Sequence, residues 1–422
     1  MIKAIRYFLT LLVFISYSMV YAQDREQASS IIDDLCSEEM AGRGYINNGA
    51  LKAANYISEQ FKTIGLDSFR DGYKQPFNLN VNTIKTAKVV LDEKVLTPGV
   101  DYLVSTTSGD ISGKFKLFYV SPKMLKAPAI LKKIKKAYKR GYVPVIPVNT
   151  AGDLEMDKVI DKILETNGDK PLVLLKKSLT WSVGRTQEKG MQLWLMESSF
   201  DPYAKCIELE VDAEMLQDYK TQNVIGYVEG TAYPDSVVIL CGHYDHLGKM
   251  GDATFYGAND NASGIAMMLD MATYFVKNPQ KYTIAFIAFG AEEAGLVGSL
   301  YYVNNPLVPL SKTKFVFNMD LMGSGDKGAT IVNATLFPKE FEILKAINEE
   351  GEYLSKIKAR GKAANSDHYF FSEAGVPAFF IYLMGEYTHY HIPADSATNL
   401  ELGPYYEKSF LLVRDFIVYL SH

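Results

Sequence analysis

The sequence predicts an α/β fold, a mainly parallel central sheet flanked by helices, with an inserted β-rich domain. Three observations lead there. From about Asn223 onward, apolar strand-type runs alternate with helix-type segments, the pattern of parallel strands joined by helical crossovers. Between about Asn78 and Glu214 the text changes to short β-type runs separated by turns. Five of the six histidines fall in three short motifs of the alternating half, too clustered for ordinary core packing.

The chain opens MIKAIRYFLTLLVFISYSMVYAQ, with Lys3 and Arg6 ahead of an apolar run that ends in Val20-Tyr21-Ala22. This reads as a cleaved signal peptide over residues 1–22, so the protein is expected to be exported, periplasmic or extracellular. The run is shorter than the roughly 18 to 20 apolar residues of a membrane span, so no stable span is expected after cleavage. The residue directly after the cut is Gln23 and not a cysteine, which argues against a lipid anchor. Cleavage leaves 42 Lys plus Arg against 49 Asp plus Glu, a balance of −7 that disfavours nucleic-acid partners. Three cysteines, Cys36, Cys206 and Cys241, are few for an exported chain, and the odd number leaves at least one unpaired within a monomer.

Residues 23–77 read as an N-terminal helical part. ALKAANYISEQFKTIGL places Leu51, Ala54, Ile57, Phe61 and Ile64 at helical spacing, with Gly65 as a stop, and this segment is expected to pack on the later sheet. Residues 78–214 form the predicted insert, with the runs AKVVL, KFKLFYV, VPVIPV, PLVLL and MQLWLM and one basic helix. In that helix Leu131, Ile134 and Tyr138 make an apolar stripe and the lysines a solvated face. Residues 215–422 hold the predicted strands SVVILCGH, TIAFIAF, KFVFNMD, ATIVNAT and PAFFIYL, and a closing helix YYEKSFLLVRDFIVYL.

The chemistry-bearing residues follow these strands: His243 after SVVILCG, Glu292 and Glu293 after TIAFIAFGA, Asp320 after KFVFNM, and His391 beyond PAFFIYLMG. Ligand sites of open α/β sheets lie at the carboxyl ends of strands, where distant parts of a chain converge. Mixed histidine and carboxylate ligands suit zinc or another first-row divalent ion, whereas an all-oxygen set would suggest calcium or magnesium. His243, Asp260, Glu293, Asp320 and His391 are too many for one tetrahedral ion, and two ions sharing a bridging carboxylate use them all. One of the adjacent Glu292 and Glu293 is then a ligand and the other a general base. G-x-S-x-G and HExxH are both absent, so serine-hydrolase and zincin readings find no support.

The motifs HYDHLG, GANDNASG, AEEAGLVGS, NMDLMG, SDHYFFSEAGVPA and YHIPADS, in this order, resemble metallopeptidase family 28, the zinc aminopeptidases related to glutamate carboxypeptidase. The resemblance runs from about Asn223 to the C terminus, with the N-terminal helices in weaker form. It implies a zinc-exopeptidase fold and two Zn2+ ions, with another divalent metal as the variant. Asp260 would be the bridge, His243 and Asp320 would complete one ion, and Glu293 and His391 the other. Glu292 would be the base, and Asp245 the carboxylate that holds the His243 tautomer. Asn261 follows the bridge where the family often has a cis peptide, and Tyr390 stands where some members polarise the substrate carbonyl. His246, His368 and His389 have no ligand counterparts, and Asp367 and Asp395 would steady the site or cap loops. The insert resembles, loosely, a protease-associated domain that shapes one side of the cleft.

The expected activity is removal of N-terminal residues from peptides with a free N terminus, with a side-chain pocket near Leu321, Tyr387 and Tyr390. Alternatives are a dipeptidase or carboxypeptidase of the same fold, a glutaminyl cyclase-like enzyme, and a catalytically inactive binding protein. The intact DNASG and EEAGLVGS runs argue against cyclisation, and the filled ligand positions against an inactive chain.

Overall fold

The computed structural model describes residues 25–148 and 154–421, and the predicted signal peptide lies outside the described residues. Two helices come first, α1 (Arg25–Leu35) and α2 (Gly49–Ile64). Gly65 ends α2 with φ +92°, its N–H bonded to the carbonyls of Phe61 and Lys62, a left-handed cap that glycine adopts without a Cβ clash. The buried face of α2 is Ala50, Ala53, Ala54, Ile57 and Phe61, whereas Leu51, expected on it, is exposed. The three alanines let the backbone lie close to the sheet, which rotates Leu51 outward.

Sixteen strands among the described residues join one sheet. Its spine is the antiparallel pair of β1 (Lys74–Leu91) and the later β8 (Cys206–Val228), paired from Lys74 opposite Val224 to Leu91 opposite Ile207 with register shifts between Leu79 and Val81 and between Ile84 and Thr86. The boundaries placed near Asn78 and Glu214 therefore fall inside two strands that run unbroken through both parts of the molecule.

Between them lie β2 (Lys94–Val95), β3 (Tyr102–Val104), β4 (Ile111–Tyr119), β5 (Tyr142–Pro147), β6 (Leu172–Lys176) and β7 (Gln192–Met196). The part read as β-rich with one helix in fact carries α3 (Ile130–Lys139) and α4 (Leu154–Asn167) as well as the short turn at Pro122–Leu125. β4, β5, β6 and β7 pair in parallel, and parallel neighbours need crossovers; α3 lies in the one from β4 to β5 and α4 in the one from β5 to β6, while residues 177–191 join β6 to β7 without a helix. In α3, Ile130, Ile134 and Ala137 are buried and the lysines exposed.

The remaining strands are β9 (Tyr233–His243), β10 (Gly248–Met250), β11 (Ala253–Phe255), β12 (Tyr282–Phe289), β13 (Thr313–Met319), β14 (Ala329–Val332), β15 (Ile357–Ala359) and β16 (Ala378–Leu383). With them come α5 (Ser263–Lys277), α6 (Val297–Asn304), α7 (Pro338–Gly351), α8 (His368–Glu373) and α9 (Pro404–Leu420). β9 is parallel to β12 and β13, and β13 to β16, with β8 and β14 antiparallel at the flanks. Alternation along β9 sends Val238 and Leu240 to a core with α1, α2, α5 and α9, and Val237, Ile239 and Cys241 to one with α6 and α8. Helices thus cover both faces of a parallel centre, as predicted. β10 and β11 place Met250, Ala253 and Phe255 in the core of the inserted part. The three cysteines are free thiols, and no helix among the described residues is long and apolar enough to cross a membrane.

Candidate metal centre

The parallel strands β9, β12, β13 and β16 end on one side, and the five predicted ligands gather there. Asp260 lies between two imidazoles: its Oδ1 is 3.2 Å from Nε2 of His243 and its Oδ2 is 3.1 Å from Nε2 of His391. His243 Nε2 is also 3.4 Å from Oδ2 of Asp320, and His391 Nε2 is 3.3 Å from Oε2 of Glu293. Glu292 belongs to the same group, with ligand atoms of His243, Glu292 and Glu293 all within 4.8 Å of one another.

This set fits divalent ions of mixed nitrogen and oxygen preference. His243, Asp260 and Asp320 are buried, Glu293 and His391 partly so, and Oδ1 of Asp320 has no hydrogen-bond partner. Burial alone would raise the Asp260 carboxyl, but the two imidazoles outweigh it and hold it well below the usual range. Burial likewise opposes a proton on His391, yet Glu293 and Asp260 push its pKa up to about 11. The negative field that retains protons on these rings equally favours metal cations in their place.

The run GANDNASG builds the holder for Asp260. The Asp260–Asn261 peptide is cis. Gly257 has φ +63°, and a Cβ there would lie 2.1 Å from the Asp260 carbonyl oxygen, so only glycine fits. Asn259 Oδ1 accepts from the Gly323 N–H at 2.8 Å, Asn261 Nδ2 donates to the Met319 carbonyl at 3.0 Å, and Ser263 Oγ accepts from the Met322 N–H at 2.8 Å. Three polar side chains thereby tie the bridge loop to the segment that carries Asp320. From the other side Asp395 accepts the N–H groups of Asn259 at 2.8 Å and Asp260 at 3.1 Å, a steadying contact rather than a helix cap.

Arg43 closes this holder from beneath and was not anticipated. Its buried guanidinium donates to the carbonyls of Tyr244 (2.7 Å), Leu35 (3.0 Å), Tyr256 (2.6 Å) and Gly257 (2.7 Å). One arginine between two glycines in AGRG carries no pattern that announces such a role.

The partners of the ligands differ in part from expectation. Nδ1 of His243 meets the backbone carbonyl of Asp245 at 3.1 Å, not its carboxylate. The Asp245 carboxylate instead accepts the N–H groups of Glu292 at 3.0 Å and Glu293 at 3.3 Å, because the side chain projects across to the end of β12. Burial pushes this carboxyl up to about 7. His246, without a ligand counterpart in the sequence reading, contacts a candidate ligand: its Nδ1 is 2.8 Å from Oε1 of Glu293, leaving Oε2 to face His391. Ser366 Oγ donates to Oδ2 of Asp320 at 3.0 Å and takes the Asn318 amide at 2.7 Å. His391 Nδ1 is 2.7 Å from the carbonyl oxygen of Trp181, in the loop between β6 and β7.

A cleft of about 580 Å3 opens over the ligands, lined further by Leu321, Arg360, Asn365, Phe380, Tyr382 and Tyr390. The Tyr390 ring stacks on His391 with centroids 3.9 Å apart. Tyr387, expected in the side-chain pocket, instead donates its hydroxyl to Oδ1 of Asp395 at 2.8 Å. His368 is buried against Phe380, and His389 lies edge-on to Tyr387. Burial, with the neighbouring carboxylates adding to it, raises Glu292 well above an ordinary glutamate.

Residues 223–411 match Peptidase family M28, and His243, Asp260, Glu292, Glu293, Asp320 and His391 all lie inside the match. Aminopeptidase YwaD of Bacillus subtilis is 33% identical over 190 residues, covering 43% of this chain and 40% of the relative. Leupeptin-inactivating enzyme 1 of Streptomyces exfoliatus is 30% identical over 190 residues, covering 40% and 41%. The chain thus matches less than half the length of these curated relatives. A solved zinc aminopeptidase from Bacillus subtilis superposes over 94% of both chains with a TM-score of 0.69 at 21% identity, which shows a shared fold.

Proposed function

We propose that the chain is an exported, di-zinc aminopeptidase. The observation that carries this reading is the Asp260 carboxylate, which offers one oxygen toward each of two imidazoles, the arrangement a carboxylate bridge requires. The names of the relatives, an aminopeptidase and zinc metalloproteases among them, support zinc and peptide substrates.

In this reading His243 and Asp320 hold one ion, Glu293 and His391 the other, and Asp260 both. Zinc held by these residues would supply a Lewis acid for the scissile carbonyl and would lower the pKa of the attacking water. Glu292 would take the proton from that water on its carboxylate and deliver it to the departing amine, and its raised pKa favours holding that proton between the two transfers. Tyr390, held flat on His391, donates its hydroxyl to the carbonyl oxygen as charge develops there. Asp245 fixes the backbone of Glu292 and Glu293. The substrate ammonium is held by the carboxylates of the centre, while Leu321 and Phe380 offer apolar surface to its first side chain. Equal activity whatever that side chain would overturn the last point.

Incubation of the purified chain with free and N-acetylated peptides, with and without a chelator, tests the reading. Loss of single residues from the free peptide alone, abolished by the chelator, is expected. Internal cleavage of the blocked peptide, or chelator-insensitive cleavage, would overturn it, and loss of ammonia without cleavage would mean cyclisation. N-terminal sequencing of the protein recovered from outside the cytoplasm should begin near Gln23, and a retained Met1 would refute signal cleavage.

A further inference from the structure

The carboxylates that converge at the strand ends make the floor of the cleft anionic, but its wall carries one cation. Arg360 is the only lysine or arginine among the described residues that line it. Its backbone is fixed, the N–H donating to the Ile331 carbonyl at 2.9 Å immediately past β15. The loop that follows is tied at its far end through Ser366 to Asp320. The side chain between these anchors is exposed, and no carboxylate pairs with its guanidinium among the described residues. Lys362, two positions on, is by contrast ion-paired with Glu373.

An arginine that shares a cleft with Asp260, Glu292, Glu293 and Asp320 yet pairs with none of them stands beyond ion-pair distance from the floor. The cleft therefore has two poles, negative at the candidate metal centre and positive at the wall. Asn365 and Tyr382 line the same cleft and bring further polar groups. A planar guanidinium fork matches a carboxylate in two parallel hydrogen bonds, a match a solvated lysine does not offer. A short peptide has the complementary form: an ammonium at one end and, about 7 Å further on for an extended dipeptide, a carboxylate.

We propose that Arg360, assisted by Asn365 and Tyr382, is a receptor for a substrate carboxylate lying just beyond the scissile bond, so that short peptides carrying such a group are the preferred substrates. The proposal rests on the aminopeptidase reading. The carboxylate has two sources, the free C terminus of a dipeptide or an acidic side chain at the second position, and the test separates them.

Steady-state kinetics of the zinc-loaded protein are measured on Leu-Leu, Leu-Leu-amide and Leu-Asp-amide, for wild type and Arg360→Gln. In parallel, calorimetry measures binding of an uncleavable dipeptide with a reduced amide bond, as free acid and as amide. For wild type the acid should have a KM and a Kd on the order of tenfold below the amide, as a charge-assisted fork contact allows. In R360Q the ratio of acid to amide should fall to near one, in binding as in KM. An advantage of Leu-Leu lost in R360Q assigns the C-terminal carboxylate, and an advantage confined to Leu-Asp-amide and lost in R360Q assigns the acidic side chain. No advantage in either arm, or an advantage that survives R360Q, overturns the proposal. If no free peptide is cleaved, the aminopeptidase reading fails, and the calorimetric arm still decides the receptor.

Discussion

Nδ1 of His391 lies 2.7 Å from the carbonyl oxygen of Trp181, and the N–H of Trp181 donates back to the carbonyl of His391 at 3.1 Å. A residue of the inserted part thus sets the ring of a candidate metal ligand. Trp181 is itself fixed, its Nε1 donating to Val104 at 2.8 Å and its ring stacked 4.8 Å from Phe255. The insert is built into the candidate metal centre as well as standing beside it.

Trp181→Ala keeps the carbonyl but removes the ring packing that fixes it, so binding of one zinc equivalent should weaken, by at most the roughly 10- to 100-fold cost of losing an orienting partner outright, while the other is held more nearly as before. Trp181→Phe, which keeps the stack on Phe255, should recover most of the loss. Titration against a chelating dye reads both equivalents, and unchanged affinities in W181A would refute the coupling.

Glu292→Gln removes the proton acceptor without removing a metal ligand. Turnover should fall by at least about 10²- to 10⁴-fold, the contribution of a positioned general base, with metal content unchanged. Zinc analysis beside the peptide assay decides it. Surviving turnover would show that another group takes the proton, and lost metal would make Glu292 a ligand.

Arg43→Met removes the guanidinium donor shared by five carbonyls, those of Leu35, Tyr244, Tyr256, Gly257 and Asp260. Stability should drop on the order of 3 kcal/mol, since each unsatisfied buried acceptor costs about 1 to 3 kcal/mol before relaxation. Arg43→Lys should recover only part, because an ammonium cannot span the fan of acceptors. Urea denaturation measures both, and a loss below about 1 kcal/mol in the methionine variant would deny the role.

His368 contributes a pH dependence. Burial pushes its pKa down to about 3 from an ordinary 6.5, so between these values the unfolded chain takes up a proton that the folded chain refuses. Its effect on stability is absent above pH 6.5 and grows destabilising as pH falls, at about 1.4 kcal/mol per unit. His368→Leu should flatten the decline between pH 6.5 and pH 4 by about 3 kcal/mol. Parallel denaturation curves for the two proteins would refute it.

Much of this molecule was legible in its local text. Runs such as SVVILCGH and TIAFIAF alternate with helical segments because a parallel strand buried on both faces must be apolar and must be followed by a crossover, so the sheet centre could be read directly. His243, Glu293 and Asp320 follow such runs closely, and the strand-end rule sufficed to bring them to one place. Helix α4 and the length of β1 and β8 are not legible in the local text. The charges in LEMDKVIDKILETN dilute its apolar stripe, and the polar residues that interrupt the long strands read as turns.

The sequence by itself determined the parallel core, the side of the sheet on which a site would form, and the donor types gathered there. Only the tertiary structure decided which group holds which. His391 and Trp181 are 210 positions apart and Arg43 and Tyr244 are 201 apart, and no local spacing records such pairs. The same is true of Asp245, whose carboxylate serves Glu292 and Glu293 while its backbone serves His243. The physical reason is that periodicity reports how a segment buries its own face. The partner of a buried polar group is set by whichever backbone the packed segments bring within hydrogen-bond reach.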